Sequence, residues 1–184
     1  MPFLFNKCAL EDGTIIKDLY EITPKVFLDK RGYFFESYNE RDFFEAGIKT
    51  RFVQDNQSRS FKGVLRGLHF QKERPQAKLV RVIEGEVFDV AVDLRKDSPT
   101  LGKWRGVFLS AEKQNQFFIP EGFAHGFLVL SENAVFAYKC GDFYNAADES
   151  GVLWNDPSIG VEWPKLPGGY FLSEKDKLWP AASL

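Results

Sequence analysis

The chain has 184 residues, enough for one domain with a substantial core. Hydrophobic residues make up 44% and aromatics 16%, with 19 phenylalanines, a bias that suits strands packed face to face better than helices. Lys and Arg total 24 against 26 Asp and Glu; a net charge of −2 excludes a global field that would recruit nucleic acid or membrane, so an anionic ligand must be held by local cations. Cys8 and Cys140 are the two cysteines, far apart and in no CxxC pair, which argues against a disulfide framework and a thiolate metal site. "MPFLFNKCALEDG" lacks a basic segment ahead of a long apolar one, and no apolar run nears the ~18 residues of a membrane span. The expectation is a soluble cytoplasmic protein.

In chain order, the apolar start "PFLF" reads as a buried N-terminal strand and "DKRG" (29–32) as a turn. "NERDFFEAG" reads as a helix: Asn39 is a good N-cap, acids occupy the first turn, and Gly47 can take the left-handed conformation that ends a helix. Turn signals then recur at "KG" (62–63), "EGE" (84–86), "KDSPTLG" (96–102), "SAEKQN" (110–115), "PEG" (120–122), "SEN" (131–133) and "YNAADESG" (144–151). Their spacing of about ten residues is that of a sandwich or barrel of short strands. Between them lie "KLVRVIEG", "EVFDVAVDL", "WRGVFLS", "QFFIP", "GFLVLS" and "AVFAYKCGDF". In "VFDVAVDL", Phe88, Val90, Val92 and Leu94 share one face, and Val87, Asp89, Ala91 and Asp93 the other. The tail from about residue 152 is rich in Pro, Gly and Trp and is expected to wrap the barrel rather than form a second domain. The reading is an all-β fold with one or two short helices, one domain over residues 1–184.

Two histidines are present, and "GVLRGLHFQ" (63–71) places one of them beside an arginine inside an apolar strand. In a regular strand Arg66 and His69 point to opposite faces, three positions apart. Gly67 lies between them, and a bulge there would bring both side chains to one face. Lys78 shares its parity with Val80 and Val82, so its amine can enter the barrel mouth; alone it reads as a surface lysine at a strand start. Tyr138 shares a face with Phe136 and Cys140, where a satisfied core tyrosine is the bland alternative. Asp89, mid-strand among apolar neighbours, needs partners. Asp176, in "LSEKDKL", reads from spacing alone as an exposed tail charge.

"PEGFAH" (120–125) resembles the second half-motif of the cupin family, whose metal-binding members carry a histidine there. Their first half-motif needs a His-x-His pair followed by a glutamate, whereas "LHF" offers one histidine. Two histidines without a carboxylate cluster make a poor transition-metal site. The expectation is a cupin-like barrel that works without metal.

Four stretches carry a closer resemblance: "FVQDNQSRSFKGVLRGLHFQ", "KLVRVIEGEVFDVAVDLRKDSPTLGKW", "IPEGFAHGFLVLSE" and "WNDPSIGVEWP". In order and spacing they resemble the dTDP-4-dehydrorhamnose 3,5-epimerase family, over about residues 20–180. Ala77 and Gly141 are minor departures from the family pattern. The resemblance implies a cupin-type jelly roll, a homodimer, and cofactor-free inversion of C3 and C5 of a dTDP-linked 4-keto-6-deoxy sugar. It makes His69 the catalytic base, Asp176 the carboxylate that orients it and Tyr138 the acid on the opposite face of the sugar. Lys78 and Arg66 become the basic pair near the sugar and its carbonyl, with His125 nearby. Arg31, Glu36, Gln54, Asn56, Glu149 and Lys175 match positions that hold the nucleotide or frame the pocket, and Asp89 a buried acid near the catalytic histidine. The alternatives are inversion of a single centre, or a binding module without turnover; the joint presence of His69, Asp176, Lys78 and Tyr138 argues against the latter.

Overall fold

The alternation in "VFDVAVDL" shows how the fold is assembled. The structure is a computed structural model and describes residues 2–184. Its elements are β1 (Phe3–Ala9), β2 (Ile15–Pro24), β3 (Phe27–Asp29), β4 (Gly32–Phe34), α1 (Glu40–Glu45), β5 (Gln54–Phe61), β6 (Leu65–Gln71), β7 (Lys78–Glu84), β8 (Glu86–Asp93), β9 (Trp104–Ser110), β10 (Gln116–Ile119), β11 (Phe123–Val129), β12 (Asn133–Cys140), β13 (Glu149–Gly151) and α2 (Glu174–Lys177). Val87 and Ala91 of β8 enter a core shared with Val80, Val82, Phe117, Phe127 and Phe136. Phe88, Val90 and Val92 face the other way, into a second cluster with Val152, Ile159 and Trp163 of the tail. Each fully buried side chain of this size contributes about 1.5–3 kcal/mol.

Two antiparallel sheets enclose the first core. One has the order β1-β2-β10-β7-β12-β5, the other β13-β6-β11-β8-β9. This is the jelly roll expected from the sequence, with two short helices. Helix α1 is capped by the Asn39 side chain accepting from Asp42 N, and it ends as its sequence requires. Ile48 N donates to Phe43 O and Gly47 N to Phe44 O, with Gly47 at φ +94°, the paired bonds of a glycine-terminated helix.

The glycine between Arg66 and His69 does what parity demanded. Across the β6–β11 ladder His69 pairs with His125 and Arg66 with Phe127, so Gly67 and Leu68 of β6 oppose the single Gly126 of β11. Gly67 sits at φ +118° in this bulge. Leu65 and Leu68 consequently both face the tail-covered cluster, while Arg66 and His69 line one hollow together. A Cβ on Gly67 would lie 2.6 Å from Gly126 Cα and 2.7 Å from His125 O, so both strands need the bare backbone here.

Gly67→Ala is therefore expected to destabilise the fold by about 2–4 kcal/mol through strain and overpacking. Gly168→Ala, where nothing lies within 4 Å of an added Cβ, is expected to stay within about 0.5 kcal/mol. Urea unfolding midpoints of the two variants check the difference.

Candidate active site

The bulge aims His69 at a cavity of about 320 Å³ lined by Gln54, Asn56, His69, Gln76, Lys78, Tyr138, Tyr144 and Glu149, among others. His69 also lines an adjoining hollow of about 430 Å³ with Arg66, Lys175 and Asp176. β5, β7 and β12 of the six-stranded sheet supply Asn56, Lys78 and Tyr138, and β6 of the facing sheet supplies His69. His69 and Tyr138 thus approach the cavity from opposite walls.

His69 Nε2 lies 2.5 Å from Asp176 Oδ1, a contact spanning 107 residues of chain. Asp176 is 4% exposed, which corrects the reading of an exposed tail charge from spacing alone. The tail reaches back because both sides of α2 are tied down: Phe171 N donates to Gly63 O and Leu65 N to Phe171 O, and Leu153 N donates to Pro180 O. Burial alone would raise the Asp176 carboxyl; bonds from His69 and Trp179, with the imidazole's charge, bring it below the usual carboxylate range. An ionised carboxylate on Nε2 fixes that nitrogen as the N–H and leaves the lone pair on Nδ1.

Behind this pair lies a second one. His125 Nε2 is 2.9 Å from both carboxylate oxygens of Asp89, which is wholly buried. Asp89 accordingly finds its partner in His125. Burial raises its carboxyl, against the pull of His125 and Lys78, and the same burial lowers the His125 imidazole. Lys78 stands beside Ile119 and Cys140 in the ladder; burial pushes its amine down, while the charges of Cys140, Asp89 and Glu149 support its protonated form. Tyr138 packs against Phe136 at 6.0 Å between ring centroids, and burial raises its phenol, so its proton stays in place at neutral pH.

Of the remaining residues singled out in the sequence, Arg66 donates to Ser60 Oγ at 3.1 and 3.2 Å, and Gln54 Nε2 donates to Asn56 Oδ1 at 3.0 Å. Glu149 pairs with Lys175 and accepts from Tyr144 OH at 2.7 Å. Two residues are brought neither to the cavity nor to the adjoining hollow. Arg31 sits on the β3–β4 hairpin with its side chain 86% exposed and paired to Asp29, and Glu36 is exposed just beyond β4. Sequence reasoning missed Tyr144 and Gln76 in the lining and Trp179 beside the dyad. Tyr144 lay within a stretch that signals only a turn, and Trp179 in a tail without periodicity. Among the described residues no three His, Cys, Asp or Glu side chains gather as metal ligands.

A jelly roll with a histidine–carboxylate dyad on one wall and a protonated tyrosine on the other is a cupin-type barrel equipped for acid–base chemistry. A family model described as dTDP-4-dehydrorhamnose 3,5-epimerase matches residues 13–183. The chain is 56% identical over 178 residues to the dTDP-4-dehydrorhamnose 3,5-epimerase of Methanothermobacter thermautotrophicus, covering 96% of this chain and 93% of that one. Its structure matches the crystal structure of dTDP-4-dehydrorhamnose 3,5-epimerase from Elizabethkingia anophelis with a TM-score of 0.91 and 52% identity, over 98% and 97% of the two chains. A Legionella pneumophila dTDP-6-deoxy-D-glucose-3,5-epimerase in complex with dTDP-4-keto-L-rhamnose matches with a TM-score of 0.89 and 50% identity, over 97% and 93%. The chain belongs to the dTDP-4-dehydrorhamnose 3,5-epimerase family.

The lowered Asp176 carboxyl has a consequence for stability. A group whose folded pKa is depressed stabilises the fold above its unfolded value, about 3.9 for aspartate, and loses that contribution as pH falls through the folded value. The stability gap between the native chain and Asp176→Asn should therefore be widest above about pH 4 and shrink below it. Denaturant titrations at a series of pH values check this.

Proposed function

We propose that the cavity takes dTDP-4-dehydro-6-deoxy-D-glucose and inverts C3 and C5 to give dTDP-4-dehydro-L-rhamnose. One observation carries the reading: the His69–Asp176 dyad, Lys78 and the protonated Tyr138 converge on one cavity from two facing sheets. Both carbons adjoin the C4 ketone, so a single carbonyl acidifies both. His69 Nδ1 removes the proton, and Asp176 holds the imidazole and stabilises its charged form. The Lys78 ammonium meets the developing enolate oxygen, where a preorganised positive charge is most effective. Tyr138 returns a proton from the opposite wall, which turns exchange into inversion. Arg66 and Lys175 line the adjoining hollow and supply local charge for the diphosphate. The substrate's own ketone provides the electron sink, so the scheme uses no cofactor.

We further propose that the working form is a homodimer in the cytoplasm. The β3–β4 hairpin exposes Phe27 at 50%, Leu28 at 80%, Tyr33 at 60% and Phe34 at 68%, an apolar surface that a second copy would cover. Such a copy would also bring Arg31 and Glu36, remote from their own chain's cavity, to the nucleotide in the partner's. No helix among the described residues is long and apolar enough to cross a membrane.

His69→Asn is expected to lose about 10²–10⁴-fold in turnover and to abolish exchange of the C3 and C5 protons with D₂O. Tyr138→Phe keeps the ring and should still exchange protons on the His69 face while inversion falls sharply. NMR of the sugar ring in D₂O with a coupled reductase assay separates the two; full-rate inversion by Tyr138→Phe would move the acid role elsewhere, and exchange at one carbon alone would make this a single-centre epimerase.

A subunit-mixing assay addresses the hairpin. If Arg31 serves the partner's cavity, mixing Arg31→Ala with His69→Asn should restore activity in about a quarter of all sites, since random heterodimers hold one intact site each. No restoration at substrate concentrations well below KM would place Arg31 outside the partner's cavity.

A further inference from the structure

Trp179 has no part in the scheme above, yet its indole lies against the base dyad. Trp179 Nε1 donates to Asp176 Oδ1 at 3.3 Å, the same oxygen that His69 Nε2 meets at 2.5 Å. The indole stands edge-on to His69, with ring centroids 6.1 Å apart at 69°, and the Lys175 ammonium lies 5.3 Å above its centroid. Its seat is Gly151: a Cβ there would fall 2.6 Å from Cδ2 and Cε2 of the indole, so the ring rests on the bare backbone of β13. Gly151 pairs with His69 across the β13–β6 ladder, so the strand that seats the indole is the one paired with the base's own strand. Trp179 is followed by Pro180, whose carbonyl takes the Leu153 amide and anchors this end of the tail.

We propose that Trp179 is a positioning residue for the catalytic base, which holds the Asp176 carboxylate in its rotamer and withdraws part of the charge that Oδ1 offers to His69. This rests on the reading of His69 and Asp176 as the base dyad. Two donors on one oxygen share its lone pairs, and the longer bond from the neutral indole moderates the shorter one from the imidazole. Without the indole N–H, the carboxylate would favour the protonated imidazole more strongly. The free base would then be lost at a higher pH on descending from neutrality. Trp179 does not line the cavity that receives the sugar, so its removal should leave substrate affinity nearly alone.

The test is the pH dependence of kcat/KM in Trp179→Phe, with benzothienylalanine at position 179 as the second variant. The latter keeps the bicyclic shape, so it reads the loss of the N–H even if phenylalanine loosens the tail. Both are expected to move the acid limb of the profile upward by roughly half a pH unit and to lower plateau kcat about 3- to 10-fold, with KM within about twofold. Asp176→Asn is the reference and should move the limb downward; adding Trp179→Phe to it should produce no further shift, because the two act through one oxygen. An unmoved limb in the benzothienylalanine variant, or an equal upward shift in the Asp176→Asn background, would overturn the proposal. An unmoved limb in Asp176→Asn itself would instead overturn the dyad.

Discussion

Gly67 and Gly126 meet backbone to backbone, and that close approach governs where the chemistry can be. β6 carries a hydrophobic set, Leu65 and Leu68, and a polar set, Arg66 and His69, at spacings that a regular strand would scatter over both faces. The bulge sorts them. Its apolar side chains go under the tail; of its polar ones, Arg66 and His69 both line the hollow that holds Asp176, and His69 also lines the cavity. The sorting serves the tail as well, since Leu68 belongs to the cluster on which residues 152–182 pack, and that packing carries Asp176 to His69. The inner site and the outer shell are therefore coupled through one strand irregularity.

The interior assigns protonation states by environment. Asp176 is buried but receives several hydrogen bonds and remains a carboxylate below its usual range. Tyr138 is burdened mainly by burial and keeps its proton. Two groups with opposite duties are thus held in opposite states at one pH, a pattern by which environment assigns acid and base. Asp89, His125 and Lys78 form a further set in which burial weakens each charge and the neighbours partly restore it. Removing one member of such a set leaves an uncompensated buried charge, which costs about 3–5 kcal/mol.

Ala77 and Gly141 are neighbours in the structure. Gly141 N donates to Ala77 O at 2.8 Å, and a Cβ on Gly141 would lie 2.8 Å from Thr50 Cγ2 and 3.6 Å from the Ala77 Cβ. The small residue at 141 leaves this corner free behind Lys78, which follows Ala77 directly and pairs with Cys140.

Periodicity alone made the central strands legible, because β7, β8 and β12 each present an apolar face to a core and their residues alternate accordingly. Helix α1 was legible from its caps. β5 was not: in "QDNQSRSF" the more buried face is Gln54, Asn56, Ser58 and Ser60, of which Gln54 and Asn56 line the cavity, so a strand that serves a polar site carries no hydrophobic signature. Within the site, the sequence determined that Arg66 and His69 could share a face only through an irregularity at Gly67, since strand parity is a local property of the backbone. The resemblance named Asp176, but its spacing in the tail pointed to solvent. Only tertiary structure decided that this aspartate is buried against His69, that Asp89 belongs to His125, and that Trp179 shares an oxygen with the base. Contacts across 107 residues of chain depend on how the tail packs over the sheet, and no local pattern encodes that distance.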